Sequence, residues 1–147
     1  VKMWSGRFRE PLNPFFEAWQ RSFPFDWRLL PQEIAASKAH ALALEAAGVL
    51  SPNERLQIAV ALDGILRPYG SAQPLEPIAS EAEDVHHFVE LKLVEAVGDL
   101  GLKLHTGRSR NEQIATDLRL YVRQQIDVTL GGLGDWARAL LGQAKAA

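Results

Sequence analysis

The chain has 147 residues, enough for one domain with a real core, and is 47% apolar and 23% charged. A net charge of −2 and a pI near 6.1 argue against a broad basic surface. Nucleic acid is therefore not an expected partner, and any cationic site must be local. The absence of cysteine excludes disulfides and thiolate metal sites. The opening VKMWSGRFRE has no apolar signal core, and no run of about 18 apolar residues offers a membrane span, so the expected setting is cytoplasmic.

Residues 1–30 read as an N-terminal arm. It is rich in aromatics (Trp4, Phe8, Phe15, Phe16, Trp19, Phe23, Phe25, Trp27), and prolines at 11, 14 and 24 interrupt any long helix. A short helical piece is predicted at 14–21. The aromatics pack either on their own domain or, as an exposed patch, against a neighbouring chain. Residues 31–110 read as an N-terminal helical domain. Its first helix, 32–47, is dominated by alanine and leucine and ends at Gly48 in a left-handed cap, with Val49 as the apolar contact. The second opens with Ser51, Pro52 and Glu54, a capping box with a proline start. Leu56, Val60, Leu62, Ile65 and Leu66 supply its buried face, and it stops near Arg67, before Pro68.

A proline-rich loop spans 68–79. Ser80 and Glu83 repeat the S-x-x-E pattern and predict a helix from there to about Val97, with Val85, Phe88, Val89, Leu93, Val94 and Val97 as its apolar positions. The last segment, 111–147, is one long helix. Apolar residues recur at Ile114, Leu118, Val122, Ile126, Leu130, Leu133, Ala137, Leu140 and Ala144, in helical steps. Gly131, Gly132 and Gly134 each cost about 1 kcal/mol relative to alanine, yet no proline breaks the period. A stripe this long exceeds what a small domain covers, which predicts a helical bundle completed by other chains or by further sequence. No strand pattern stands out, and the expected class is all-α.

The densest chemistry lies in HTGRSRNEQIATD, residues 105–117. A helix N-terminus carries unpaired N–H groups and partial positive charge, so it attracts anions. Ser109 or Asn111 would cap it, and Arg108 and Arg110 would add bidentate contacts to a carboxylate or phosphate. Thr106 and Ser109 would add neutral donors, and Gly107 would admit close approach of the backbone. The spacing is not that of a Walker loop. A capped helix with surface arginines accounts for the same residues. In SEAEDVHHFVELKL, residues 80–93, His86 and His87 point about 100° apart on a helix. His86 and Glu90 form an i,i+4 pair suited to orientation or to a metal, but no third ligand is visible and no metal is predicted. The competing readings are a histidine lining a polar pocket and a partly exposed structural one. Ser22 precedes an aromatic-proline turn that Asp26 would cap or anchor, which reads as scaffold. Lys38 and His40 are expected to face solvent.

MWSGRF at 3–8, RSFPFDWRLLPQEIAASKAH at 21–40, AEDVHHFVELKL at 82–93 and KLHTGRSRNEQIATDLRLY at 103–121 resemble, in order and spacing, the N-terminal part of argininosuccinate lyase. That family belongs to the fumarase/aspartase superfamily, with lens δ-crystallin as a relative. The resemblance implies an all-α fold with the start of a long central-bundle helix. It implies reversible, cofactor-free β-elimination of argininosuccinate to arginine and fumarate in arginine biosynthesis. It also implies a homotetramer with shared active sites, and neither a metal nor a membrane partner. Carried over by position, Ser22, Ser109, Arg110 and Asn111 resemble substrate-binding residues, and His86 resembles an active-site histidine of supporting role. Departures stand at Ser5, where a second glycine is usual, at Glu112, where aspartate is usual, and in EIAAS at 33–37, where DI-GS is usual. The family's downstream histidine region, catalytic serine loop and lysine-bearing region have no counterpart here. The 147 residues alone are therefore expected to be inactive. Another fumarate-releasing lyase, a non-catalytic δ-crystallin-like structural protein and a generic anion-binding helical module are the alternative readings.

Overall fold

A computed structural model describes residues 13–70 and 77–146. Among the described residues every regular element is helical, which makes the fold all-α. None of the helices among the described residues is long and apolar enough to cross a membrane. The readings on Trp4, Ser5, Phe8 and Pro11, on the middle of the proline-rich loop and on Ala147 lie outside the described residues.

α1 (Pro14–Gln20) is capped by the Asn13 side chain, which accepts from Phe15 N at 2.9 Å. It buries none of its aromatics: Phe15 and Trp19 are exposed. α2 (Phe23–Asp26) runs through a 3-10 turn at Trp27–Leu29 straight into α3 (Leu30–Ala46), which begins two residues before the predicted start. Gly48, at φ +75°, closes α3. Its N–H donates to Glu45 O and that of Val49 to Leu44 O, each at 2.9 Å. This is a Schellman cap, and it needs the left-handed conformation that glycine tolerates. Val49, the expected apolar contact, is exposed, whereas Leu50 is buried in the core with Leu44.

α4 (Pro52–Leu66) begins with the predicted capping box, both halves formed. Ser51→Ala is expected to cost about 1 kcal/mol, because an orphan N–H then loses its acceptor. Denaturant unfolding of the two chains measures it. The buried face differs from the predicted one. Ile58 and Leu62 are fully buried and flanked by Ala61, Ile65 and Leu66, whereas Leu56 and Val60 are exposed. Both exposed residues lie two positions from Ile58, about 200° round the helix, and so face away from α3 and α5.

α5 (Val85–Val97) starts at Asp84, not at Ser80. The Ser80–Glu83 capping box does not form because residues distant in sequence hold that segment away from the helix axis. Arg21 donates to Ser80 O at 2.6 Å and to Ala82 O at 3.2 Å. Ser22 N and Phe23 N both donate to Glu83 O. Ser80 Oγ accepts from Ala82 N instead. Val85, Phe88, Val89 and Leu93 are buried as predicted, and Phe88 meets Phe23 at 5.3 Å between ring centroids.

A 3-10 stretch, Gly98–His105, leads to α6 (Arg110–Ala146), which is unbroken over 37 residues. α3, α4 and α5 pack on one another, and the first turns of α6 lie across α3. α6 buries only Gln113 and Asp117. Its apolar stripe at 114, 118, 122, 126, 130, 133 and 140 is between 44% and 61% exposed. The helix thus shows its polar face to its own domain and its apolar face outward.

Candidate functional site

The site begins at the N-terminus of α5, whose first turn has unpaired N–H groups. Asp84 Oδ1 accepts from His87 N at 2.6 Å, and Asp26 Oδ1 accepts from Val85 N at 3.0 Å. Ser22 Oγ donates to Asp26 Oδ2 at 2.6 Å. The turn read as scaffold is therefore scaffold, but it also lines a cleft of about 380 Å³ with Phe25, Arg28, His86 and Tyr121. Burial pushes the Asp26 carboxyl up from its ordinary range.

The second part is the turn before α6. Thr106 N donates to Lys103 O and Arg108 N to His105 O. Gly107 has φ +66°, and a Cβ there would meet nothing within 4 Å. Glycine suits this left-handed backbone conformation, and the space beside it is open. The expected pair of cradle arginines does not form. Arg108 turns inward: Nη1 donates to Ser37 Oγ at 2.8 Å, and Nη2 lies 3.6 Å from Glu33 Oε2. Its side chain is 7% exposed, so it acts as a buried counter-charge. Arg110 Nε lies 3.3 Å from Asp84 Oδ2 and ties the start of α6 to the start of α5. Ser109 precedes α6 and accepts from Gln113 N through its carbonyl, and both Ser109 and Asn111 are exposed. Lys38 and His40 are half-buried, not free in solvent. Lys38 pairs with Asp63 at 2.8 Å, and His40 Nε2 reaches Thr106 O at 3.1 Å.

Between these parts lies a buried polar cluster. His86 Nε2 is 3.1 Å from Asp117 Oδ2 and 3.7 Å from Glu33 Oε2, and its Nδ1 is 3.8 Å from Asp84 Oδ1. Neither histidine is partly exposed: His86 and His87 are both buried. His87 Nδ1 accepts from Glu83 N, which places its proton on Nε2. Burial holds His86 below its ordinary range and thus neutral. It pushes Glu33 up to about 7 and Asp117 up to about 6. The predicted His86–Glu90 pair is absent, and among the described residues the acids acting on His86 are Asp26, Glu33, Asp84 and Asp117. Ligating atoms of Glu33, His86 and Asp117 approach within 4.8 Å of one another. Arg108 brings one positive charge beside these two acids.

The structure therefore brings Ser22 and His86 to one cleft and links Arg110 to His86 through Asp84. It leaves Ser109 and Asn111 on the adjoining surface. Glu33, Asp117 and Tyr121 are the residues that motif reading passed over. One signal was present: Arg110, Gln113, Asp117, Tyr121 and Gln124 recur at steps of three and four along α6. Gln124 accepts from Gln32 at 2.6 Å at the far end of that row.

Comparison with known proteins places this arrangement. A family model described as lyase matches residues 6–147. The chain is 62% identical to the argininosuccinate lyase of Acidobacterium capsulatum, over 99% of this chain and 31% of that protein. It is 57% identical to that of Koribacter versatilis, over 99% of this chain and 30% of the relative. It is 47% identical to that of Thioalkalivibrio sulfidiphilus, over 92% and 30%. The chain spans about 30% of the length of the curated relatives it matches. The helical frame, the polar cluster at its helix ends and a family match over nearly every residue lead to one conclusion: the chain belongs to the lyase family.

Proposed function

We propose that this chain is part of an argininosuccinate lyase and supplies one carboxylate-recognising wall of its active site. The supporting observation is the juxtaposition at the helix ends. Ser109, Arg110 and Asn111 open α6 beside Asp84 and buried His86, and Ser22 lines the adjoining cleft. β-Elimination of argininosuccinate removes a proton next to a carboxylate, spreads the resulting charge into that carboxylate and expels a protonated guanidino nitrogen. Fixed N–H and O–H donors aimed at the carboxylate stabilise that transition state more than the ground state. Ser109, Arg110 and Asn111 are assigned this donor role, and Ser22 joins them in binding substrate where its hydroxyl turns from Asp26 into the cleft. Neutral His86 orients or accepts a hydrogen bond and is not the principal base. The acid–base pair comes from segments of the whole enzyme outside this chain. No resident cofactor takes part.

The exposed apolar stripe of α6 assigns the remaining partners. A face of this length is costly in water and is covered when the helix enters a bundle with copies of the enzyme, as a homotetramer. Light scattering is expected to find the chain associated, and Leu130→Glu with Leu133→Glu to dissociate it. A monodisperse monomer before substitution contradicts the bundle.

The activity is tested with a chimera in which these residues replace the matching segment of the Acidobacterium capsulatum lyase. Fumarate release is followed by ultraviolet absorbance, with adenylosuccinate and aspartate as controls. The chimera is expected to act on argininosuccinate alone and the 147-residue chain on nothing. Release from a control substrate points to another fumarate-releasing lyase. A folded but inert chimera points to a structural protein of δ-crystallin type.

A further inference from the structure

We propose that Glu33 and Asp117 hold a single proton between them, Glu33 as the acid and Asp117 as the carboxylate, and that this pair positions His86 and Arg108 beneath the start of α6. The proposal concerns the folded chain and stands whatever anion the site receives. Glu33 is 2% exposed and Asp117 is fully buried. Two ionised carboxylates at this range and depth repel without solvent to screen them. One oxygen of each, Glu33 Oε2 and Asp117 Oδ1, meets no N–H or O–H donor from other residues. The other two are occupied: Glu33 Oε1 accepts from Ser37 Oγ at 2.6 Å, and Asp117 Oδ2 faces His86 Nε2. A hydrogen donated from Glu33 to Asp117 satisfies both orphans at once.

Charge gives the same result. Arg108 brings one positive charge into the cluster, and neutral His86 brings none. Two carboxylates sharing one proton carry one negative charge, so the cluster is neutral. A divalent cation between the same groups would leave excess positive charge against Arg108. The surrounding groups are Asp26 from α2, Glu33 and Ser37 from α3, Asp84 and His86 from the cap and first turn of α5, Arg108 from the loop, and Arg110, Gln113 and Asp117 from α6. Asp84 and Arg110 pair with each other, and Asp26 is held by Ser22 and Val85 N. Arg108 Nη2 lies 3.6 Å from Glu33 Oε2, too far for a hydrogen bond, so it leaves that oxygen open to share a proton with Asp117. With His86 Nε2–H donating to Asp117 and Arg108 held by Glu33 and Ser37, the pair fixes the histidine's tautomer and keeps Arg108 turned inward.

The sign of the pH effect follows from linkage. The folded chain keeps a proton on Glu33 up to about pH 7, while the unfolded chain loses it near 4.5. This stabilisation is full below 4.5 and is lost as pH rises through about 7. Infrared spectra of the unaltered 147-residue chain are expected to show a carboxylic-acid carbonyl band that shifts in D₂O and titrates near pH 7. That band is expected to be missing from Glu33→Gln, whose amide still donates to Asp117. The denaturant midpoint of the unaltered chain is expected to fall between pH 5 and 7.5, and that of Glu33→Gln to lose this fall. Ring ¹⁵N shifts are expected to keep His86 as the Nε2–H tautomer in Glu33→Gln but not in Glu33→Ala. If Glu33→Gln does not fold, the band of the unaltered chain still decides. Absence of an acid band above pH 6, or its persistence in Glu33→Gln, overturns the proposal. So does a rise in midpoint on adding Zn²⁺ or Mg²⁺ that Glu33→Gln abolishes, because the pair would then hold an ion.

Discussion

Arg108→Met is expected to destabilise the chain by about 3–5 kcal/mol at pH 8, most of what a domain of this size has to lose. The guanidinium lies 3.6 Å from Glu33 Oε2, with its side chain 7% exposed. Methionine fills much of the volume but leaves a buried carboxylate without its counter-charge. The carboxyls of Glu33 and Asp117, already raised to about 7 and 6, then rise further. The folded state of the variant takes up protons that the unfolded state does not, so the loss shrinks as pH falls through that range. Adding Asp117→Asn to Arg108→Met is expected to recover part of the loss, because no uncompensated charge remains. Unfolding followed through buried Trp27 at pH 8 and pH 5 measures all three chains. A loss below 1 kcal/mol at pH 8, independent of pH, contradicts the assignment of Arg108 as a buried counter-charge.

Phe23→Ala is expected to cost about 3–5 kcal/mol through lost burial and the cavity left behind. Phe23 is 1% exposed and stacks at a tilt on Phe88. The effect reaches the site. The Phe23 ring anchors the backbone whose amides at 22 and 23 hold Glu83 O, and that contact sets where α5 begins. Hydrogen exchange is expected to speed up at Val85 and His87, the two amides capped by Asp26 and Asp84. Phe25→Ala two residues on, at an exposed position, is expected to stay within about 0.5 kcal/mol. Equal effects at the two positions contradict this description of the core.

Local chemistry was the legible part of the fold. The Ser51 capping box, the Gly48 cap and the uninterrupted period from Asn111 each depend on residues within a turn of one another, and each formed. Sequence reading failed where distant residues decide. Ser80 and Glu83 carry the same capping pattern as Ser51 and Glu54, but Arg21 and Ser22, about 60 positions away, claim the backbone between them. The inward face of α4 depends on where α3 and α5 lie, which Leu56 and Val60 do not record. In α6 the apolar stripe was the conspicuous signal, and it faces outward. The polar row that contains Gln113 and Asp117 is the face that packs on α3.

The candidate site was legible in its residue types more than in its geometry. HTGRSRN announced a polar helix start, and the structure places one there. Its two arginines could not be told apart from spacing. Their fates differ because Glu33 and Ser37 wait beneath Arg108, while Asp84 waits beside Arg110. His86 was singled out, but its surroundings depend on acids from α3 and α6 as well as on the cap of its own helix.

The proposed role rests most directly on Asn111, an exposed amide at the start of α6 assigned to the substrate carboxylate. The decisive measurement is fumarate release from argininosuccinate by the chimera, with Asn111 intact and as Asn111→Ala. The exposed position predicts unchanged folding, and the loss of a fixed donor predicts a fall in kcat/KM of about 100-fold. An equally stable Asn111→Ala chimera with undiminished kcat/KM would contradict the claim that this helix start forms the carboxylate-recognising wall.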